Sequence, residues 1–335
     1  MRNKQGITDY LILGSGICGL TIANRISQSD KTVAVLDKGK APGGRTATRR
    51  VDISAGKKAV FDYGAQYFTA RNKLFIDEVQ KWIDAGFVKE WSKGFYLEDG
   101  TFKADNEPRY IGVPNMRSIA SHLSKRLEVI QSEKVININW TEQMWRITTE
   151  NDHGYFTEHL VLTCPLPQSL ELLSNSSIHI SKETEHRLKE IKYDRCIAIM
   201  LICGGPGSIN MPGGVWCSGE PVSWIADNTK KGVSSEVTSV TVHCGPEFSK
   251  QNWFEGRNFI FNEIREHLKE IIPFRVMDYQ IHKWLYSRPN YIYHKPFEYI
   301  PLPGPIYLAG DAFVSGNIEG AFLSGYKVAE NILNG

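Results

Sequence analysis

No stretch of this sequence stays apolar for the roughly 20 residues that a helix needs to cross a bilayer. The opening residues, MRNKQGITDY, also lack the apolar core of a secretory signal. A cytoplasmic location with no membrane partner is therefore expected. The six cysteines (Cys18, Cys164, Cys196, Cys203, Cys217 and Cys244) include no CxxC pair, and most sit inside apolar segments. They read as small buried hydrophobes, not as a disulfide framework or a zinc site, and no metal is expected. An excess of one charge is missing too: 39 Lys and Arg face 37 Asp and Glu, a formal net charge of +2. That balance offers no bulk attraction for nucleic acid or an anionic membrane surface, so any affinity for anions must be local. Repeats, low-complexity tracts, coiled-coil patterning and charged arms are absent as well, and nothing suggests a scaffold.

What remains is an ordinary globular composition, 41% hydrophobic and 23% charged, in 335 residues. That length is enough for two domains with cores of their own. The strongest local signal lies near the N-terminus. An apolar run from Tyr10 to Leu13 stops at Gly14, and a helical pattern begins directly after it. Gly14, Gly16 and Gly19 hold the GxGxxG spacing, with Ile17 and Cys18 between the last two. The first glycine permits a tight turn, the second lets the backbone approach a pyrophosphate at the helix N-terminus, and the third allows close helix–strand packing. Residues 32–36 read as the next parallel strand, ending at Asp37 and Lys38, where an acid would accept ribose hydroxyls. Strand, turn, helix and strand in this order predict a dinucleotide site.

A second glycine turn follows at Gly43, Gly44 and Arg45, and Arg45, Arg49 and Arg50 make a cationic cluster. A domain binding only a nicotinamide cofactor has no need of it; the segment resembles the GGR turn that lies along FAD in flavoproteins of the amine oxidase type, which implies a guanidinium meeting the pyrophosphate or flavin side. The next segment, FDYGAQYFTAR, is dense in aromatics around Gly64, Ala65, Gln66 and Tyr67, and would pass a flavin ring with Gln66 bonding its edge. Phe75, Val79, Trp82 and Ile83 mark one helix face, stopped by Gly86. Residues 87–91 read as a strand, and Ile119, Leu123 and Leu127 as the apolar face of a helix. A meander is expected at 135–140, 144–149 and 155–160, with Val135 near an adenine, then a separate short strand at 160–163 ending in Thr163. Strands at 196–203, 224–226, 239–243 and 276–284, with a helix carrying Phe261, Ile264, Leu268 and Ile271, suggest a mixed-sheet substrate domain. The last motif is a strand at 306–309, then Gly310 and Asp311, then a helix from about Glu319 through Gly320 and Ala321. Its N-terminal partial charge would face the flavin and favour the anionic reduced ring.

Taken together, GGRTATRR, FDYGAQYFTAR, VPNM, WIADN, VHCGPEFS, HKWLYSRP and GDAFVSGNIEGAFLSG resemble the renalase family along nearly the whole chain. Three departures stand out: Thr46 where a methionine is common, Lys283 in place of an arginine before the tryptophan, and a different ending to WIADN. The resemblance implies an α/β fold with a Rossmann-type FAD-binding domain (residues 1–72, 108–170 and 302–335). A mixed-sheet α+β substrate domain would take residues 73–107 and 171–301. It also implies an oxidase that returns 2- and 6-dihydroNAD(P) isomers to NAD(P)+ and passes the electrons to O2, releasing H2O2. Loss of hydride from a dihydropyridine leaves an aromatic cation, so no general base is required; positioning and a dry pocket are. His243, Trp284 and Arg288 are the pocket residues, with His243 bonding a carboxamide or anchoring a phosphate and Arg288 meeting a phosphate. FAD is expected to be non-covalent, since no cysteine follows Cys244. The partners expected are a dihydronicotinamide dinucleotide and O2, in a monomer or weak dimer that binds no nucleic acid. The alternatives are a flavin amine or amino-acid oxidase with an aromatic cage, and a non-catalytic flavin-binding redox sensor.

Overall fold

The computed structural model describes residues 7–53, 56–141, 143–205, 209–271, 275–301 and 303–335. In chain order the elements begin with β1 (Ile7–Leu13), α1 (Ile17–Ile26), β2 (Val33–Asp37), β3 (Thr48–Asp52), β4 (Lys58–Asp62), α2 (Lys73–Asp84), β5 (Val88–Leu97) and β6 (Phe102–Gly112). There follow α3 (Arg117–Leu123), β7 (Glu128–Gln131), β8 (Val135–Thr141), β9 (Met144–Thr149), β10 (Gly154–Leu162), α4 (Leu166–Asn175) and α5 (Lys182–Lys189). The remainder comprises β11 (Tyr193–Gly204), β12 (Gly214–Trp216), β13 (Val222–Asp227), β14 (Thr238–Cys244), α6 (Pro246–Gln251), α7 (Arg257–Ile271), β15 (Arg275–Pro289), β16 (Glu298–Ile300), β17 (Ile306–Leu308) and α8 (Ile318–Asn334).

The first sheet runs β16-β17-β10-β1-β2-β7, parallel from β17 to β7, with β9 and β8 joined to β10 as an antiparallel meander. Both faces are covered, which is why β1 and β2 read as unbroken apolar runs. Tyr10 and Ile12 point toward α1 and α8, joining Cys18, Ile22, Ile26, Val328 and Ile332. Leu11 and Leu13 point the other way, onto Ile138 and Trp145 of the meander and Leu166 and Leu173 of α4. Each such fully buried aliphatic side chain contributes about 2 kcal/mol. The two strands expected at 155–160 and 160–163 are one. The first half of β10 pairs with β9 and its second half with β17, so a single strand both closes the meander and enters the parallel sheet. Likewise α3 stops at Leu123, leaving Leu127 beyond it.

The second sheet runs β15-β11-β14-β13-β12-β5-β6 and is antiparallel except where β12 meets β5. On one face α7 lays Ile260, Phe261, Ile264 and Leu268 over Ile197, Ile199, Leu201, Val240 and Val242. On the other, Met200 and Ile202 meet Ala59 and Phe61 of the β3–β4 hairpin. In that hairpin Arg49 and Arg50, expected as part of a cationic cluster after the glycine turn, are paired strand residues opposite Phe61 and Val60. The β6 strand continues through Gly112 and so straddles the boundary expected between residues 107 and 108.

Candidate functional site

Gly14, at φ +114°, ends β1 in a conformation open to glycine, and its N–H donates to Leu36 O at 2.8 Å. A Cβ on Gly19 would lie 2.0 Å from the Gly14 carbonyl oxygen, so α1 returns against β1 only because that side chain is missing. Gly16 is the N-cap of α1 and supplies no side-chain cap, so the first-turn N–H groups are left for an outside acceptor. A Cβ on Gly16 would meet nothing within 4 Å, and the atom nearest to a Cβ on Gly44 is the Cα of Gly16, at 3.9 Å. The two glycine turns therefore face one another with no side chain between them. Beside them opens a cavity of about 640 Å³ lined from both sheets.

Of the residues expected at the cofactor, the cavity is lined by Gly16, Ile17, Cys18, Arg45, Gly64, Ala65, Gln66, Tyr67, Thr163, Gly310, Asp311 and Ala321. Arg45 and Asp311, expected to act separately, meet each other. The guanidinium makes a bidentate pair at 2.7 Å and 2.7 Å and also donates to Ser287 O at 3.2 Å. Asp311 raises the Arg45 pKa further, so this cation is permanent. Gln66 donates through Nε2 to Asp62 O and Gly64 O, which fixes its amide and leaves a buried Oε1 with no partner.

The three pocket residues His243, Trp284 and Arg288 all line the cavity. The carbonyl of Tyr63 accepts from His243 Nε2 at 3.1 Å and from Trp284 Nε1 at 2.9 Å, while the Tyr63 ring stacks on Trp284. Burial pushes the His243 pKa down to about 4, so the ring is neutral, with its proton on Nε2. A neutral ring cannot anchor phosphate by charge. Arg288 is exposed and forms no ion pair among the described residues.

Other expected residues fall outside the lining. Asp37 accepts Ser15 N and Oγ at 2.6 Å each and Gly39 N at 2.6 Å, tying the end of β2 to the glycine turn, and Lys38 beside it is exposed. Gly14, Gly19 and Gly44 shape the backbone behind the cavity wall, and Val135 opens the outlying β8. Glu319 is turned toward another element. Its buried Oε1 accepts Arg71 N and Asn72 N at 2.8 Å and 2.6 Å, so the carboxylate anchors the start of α2. Gly320 donates its N–H to Asn317 Oδ1 at 2.8 Å. Asn317 caps this one N–H of α8, while Ile318 and Ala321 of the same turn line the cavity. Sequence reasoning missed Arg109, Trp216 and Glu107, which also line the cavity. The signal was the arginine inside the RYIG strand run, where a solvated charge has no reason to sit.

Comparison with known proteins decides the family. Residues 12–79 match the NAD(P)-binding Rossmann-like domain, and residues 84–333 match the flavin containing amine oxidoreductases. The chain belongs to the flavin containing amine oxidoreductase family. Within it, the chain resembles renalase from Mus musculus, with 23% identity covering 95% of this chain and 96% of that protein. Its fold is shared with an Exiguobacterium sp. 255-15 structure named only provisionally as a protoporphyrinogen oxidase (TM-score 0.74, 14% identity, 98% and 100% coverage). It is shared as well with a triple mutant of putrescine oxidase (TM-score 0.71, 12% identity, 98% and 99% coverage). The cofactor of this amine oxidoreductase is FAD. The chain's own features fit it: an uncapped helix N-terminus, two facing glycine turns, an unpartnered Gln66 acceptor and a lining arginine. Among the described residues no cluster of metal ligands occurs, and no helix is long and apolar enough to cross a membrane.

Proposed function

We propose that this protein is an FAD-dependent oxidase of 2- and 6-dihydroNAD(P), converting the isomer, O2 and a proton to NAD(P)+ and H2O2. Bound FAD supplies the hydride acceptor and the route of the two electrons to oxygen. In this reading the first sheet, with residues 1–72, 108–170 and 302–335, holds the cofactor, and residues 73–107 and 171–301 shape the substrate side. The N–H groups at the start of α1 and Arg45 receive the pyrophosphate, and Gln66 Oε1 accepts from the flavin edge. The buried thiols of Cys18 and Cys196 line the cavity with pKa values pushed up, that of Cys196 to about 12. Such thiols are poor nucleophiles, which supports dissociable FAD.

The observation that carries the substrate reading is the charge of the cavity wall. Four arginines line it: Arg45, Arg71, Arg109 and Arg288. Its two carboxylates are already taken, Asp311 by Arg45 and Glu107 by Arg71. No lining carboxylate among the described residues is left for an ammonium, and with Arg109 paired to Asp105 it is Arg288 that stands without a carboxylate among the described residues and can meet a dinucleotide phosphate. His243 is neutral and bound to Tyr63, so its Nδ1 serves as an acceptor for a carboxamide N–H. Hydride loss from a dihydropyridine needs no base, so this reading asks none of the cavity wall. An amine oxidase is the second reading, favoured by the aromatic wall of Tyr67, Trp216 and Trp224 and by the fold shared with putrescine oxidase.

The test is anaerobic mixing of the purified holoprotein with 6-dihydroNAD, ordinary NADH and a simple amine. The expected result is rapid bleaching of the flavin band by the isomer alone, with NAD+ formed and peroxide released on admitting air. Bleaching by the amine alone transfers the protein to the amine oxidases, and silence with all three favours a flavin-binding redox sensor.

A further inference from the structure

The aromatic wall of the cavity contains a cation of its own. Arg109 lies on β6, its side chain only 5% exposed, and its guanidinium stands 5.0 Å from the ring centre of Trp216 and 5.8 Å from that of Phe95. Tyr67, Trp91, Phe95 and Trp224 pack together at centroid distances between 4.7 and 6.2 Å, and Trp216 Nε1 donates to Tyr67 OH at 3.3 Å. An aromatic cage of this kind attracts cations. Here the face of Trp216 is occupied by the protein's own guanidinium.

The donors of that guanidinium are unevenly used. Both Nη atoms pair with the carboxylate of Asp105, and Nη1 also donates to Glu107 O at 2.7 Å. Nε is buried and has no partner among the described residues, and neither has Nε1 of Trp224. Two N–H donors without acceptors therefore sit in side chains that line the same wall. A buried donor left unpaired costs about 1–3 kcal/mol, so this arrangement is poised for a ligand that brings an acceptor oxygen.

We infer that Arg109, with Trp216, Trp224 and Tyr67, forms a specificity subsite for the acceptor oxygen of a planar ring substituent, a carboxamide or carboxylate, and excludes ammonium groups. This rests on the dihydronicotinamide reading and deepens it, since the ring carboxamide is the group the subsite takes. Asp105 sets its strength. Arg109 holds that carboxyl at about 2, so it stays ionised and shares the guanidinium at every working pH. The Asp105 side chain is 37% exposed, which makes it replaceable without opening the core.

Three ring ligands of one size separate the possibilities: benzoate, benzamide and benzylamine, each titrated into the holoprotein while perturbation of the flavin band is followed. Benzoate and benzamide bind the natural protein and benzylamine binds at least tenfold more weakly. Arg109→Gln raises the benzoate Kd tenfold or more. Asp105→Asn lowers it threefold or more, because the guanidinium loses its internal counter-charge, and leaves benzamide within twofold. Benzylamine binding as tightly as benzoate, or benzoate affinity unmoved by both substitutions, overturns the subsite. Should Arg109→Gln fail to load FAD, the Asp105→Asn titration decides alone. Failure of the natural protein to oxidise 6-dihydroNAD removes the functional reading, while these titrations still report on the subsite.

Discussion

Replacing Lys231 by methionine tests how the two halves of the protein are held in register. Lys231 and Asp62 form an ion pair at 2.9 Å with both side chains fully buried. The Asp62 carboxylate also accepts Thr48 Oγ1 at 2.6 Å and Met116 N at 3.1 Å, so one carboxylate joins the β3–β4 hairpin, the entry to α3 and the second sheet. Removing one partner of a buried pair leaves the other charge uncompensated, at a cost of about 3–5 kcal/mol. At about 2.1 cal/mol/K of unfolding entropy per residue, a chain of 335 residues loses about 1 °C for each 0.7 kcal/mol, so Tm should fall by about 6 °C. Asp62→Asn combined with Lys231→Met removes both charges and should recover at least half of the loss. Scanning calorimetry between pH 5 and 8 measures all three proteins. A Tm unchanged within 1 °C for Lys231→Met, or no recovery in the double variant, refutes the reasoning.

Gly19→Ala forces a Cβ to within 2.0 Å of the Gly14 carbonyl oxygen, so the glycine turn must open. The purified variant should carry less than a fifth of the FAD of the natural protein, read from the ratio of flavin to protein absorbance; full loading contradicts the close-approach argument. His243 and His282 both have pKa values pushed down by burial to about 4, below the ordinary 6.5. The folded state then binds fewer protons than the unfolded one between those values. The stability tied to neutral imidazole is present above pH 6.5 and is lost as pH falls toward 4. Flavin reduction by substrate should accordingly show no inflection near pH 6.5. An ionisation there that His243→Gln abolishes contradicts a neutral ring.

What the sequence discloses and what it hides differ by the range of the physics involved. The turn at Gly14–Gly19 is local: strand, glycines and helix lie within twenty residues, and Gly19 meets the carbonyl of Gly14 five positions back. The Gly310–Asp311 motif is local in the same sense. Arg45–Asp311 spans 266 positions, so two residues each marked as cofactor ligands gave no sign that they would satisfy one another. Asp62–Lys231 is further hidden because neither residue stands out from a solvated charge until the sheets are assembled. Arg109 was missed for the opposite reason. Its strand runs from exposed to buried along its length, so no simple alternation marks the one charged residue that turns inward. Glycine turns announce themselves because they are exceptions to backbone sterics. Buried charges are exceptions to solvation, and solvation is decided only by tertiary packing. The cavity of this amine oxidoreductase is built from both kinds: glycines that open the backbone beside it, and arginines in its wall, one of them paired with Asp311 across 266 positions.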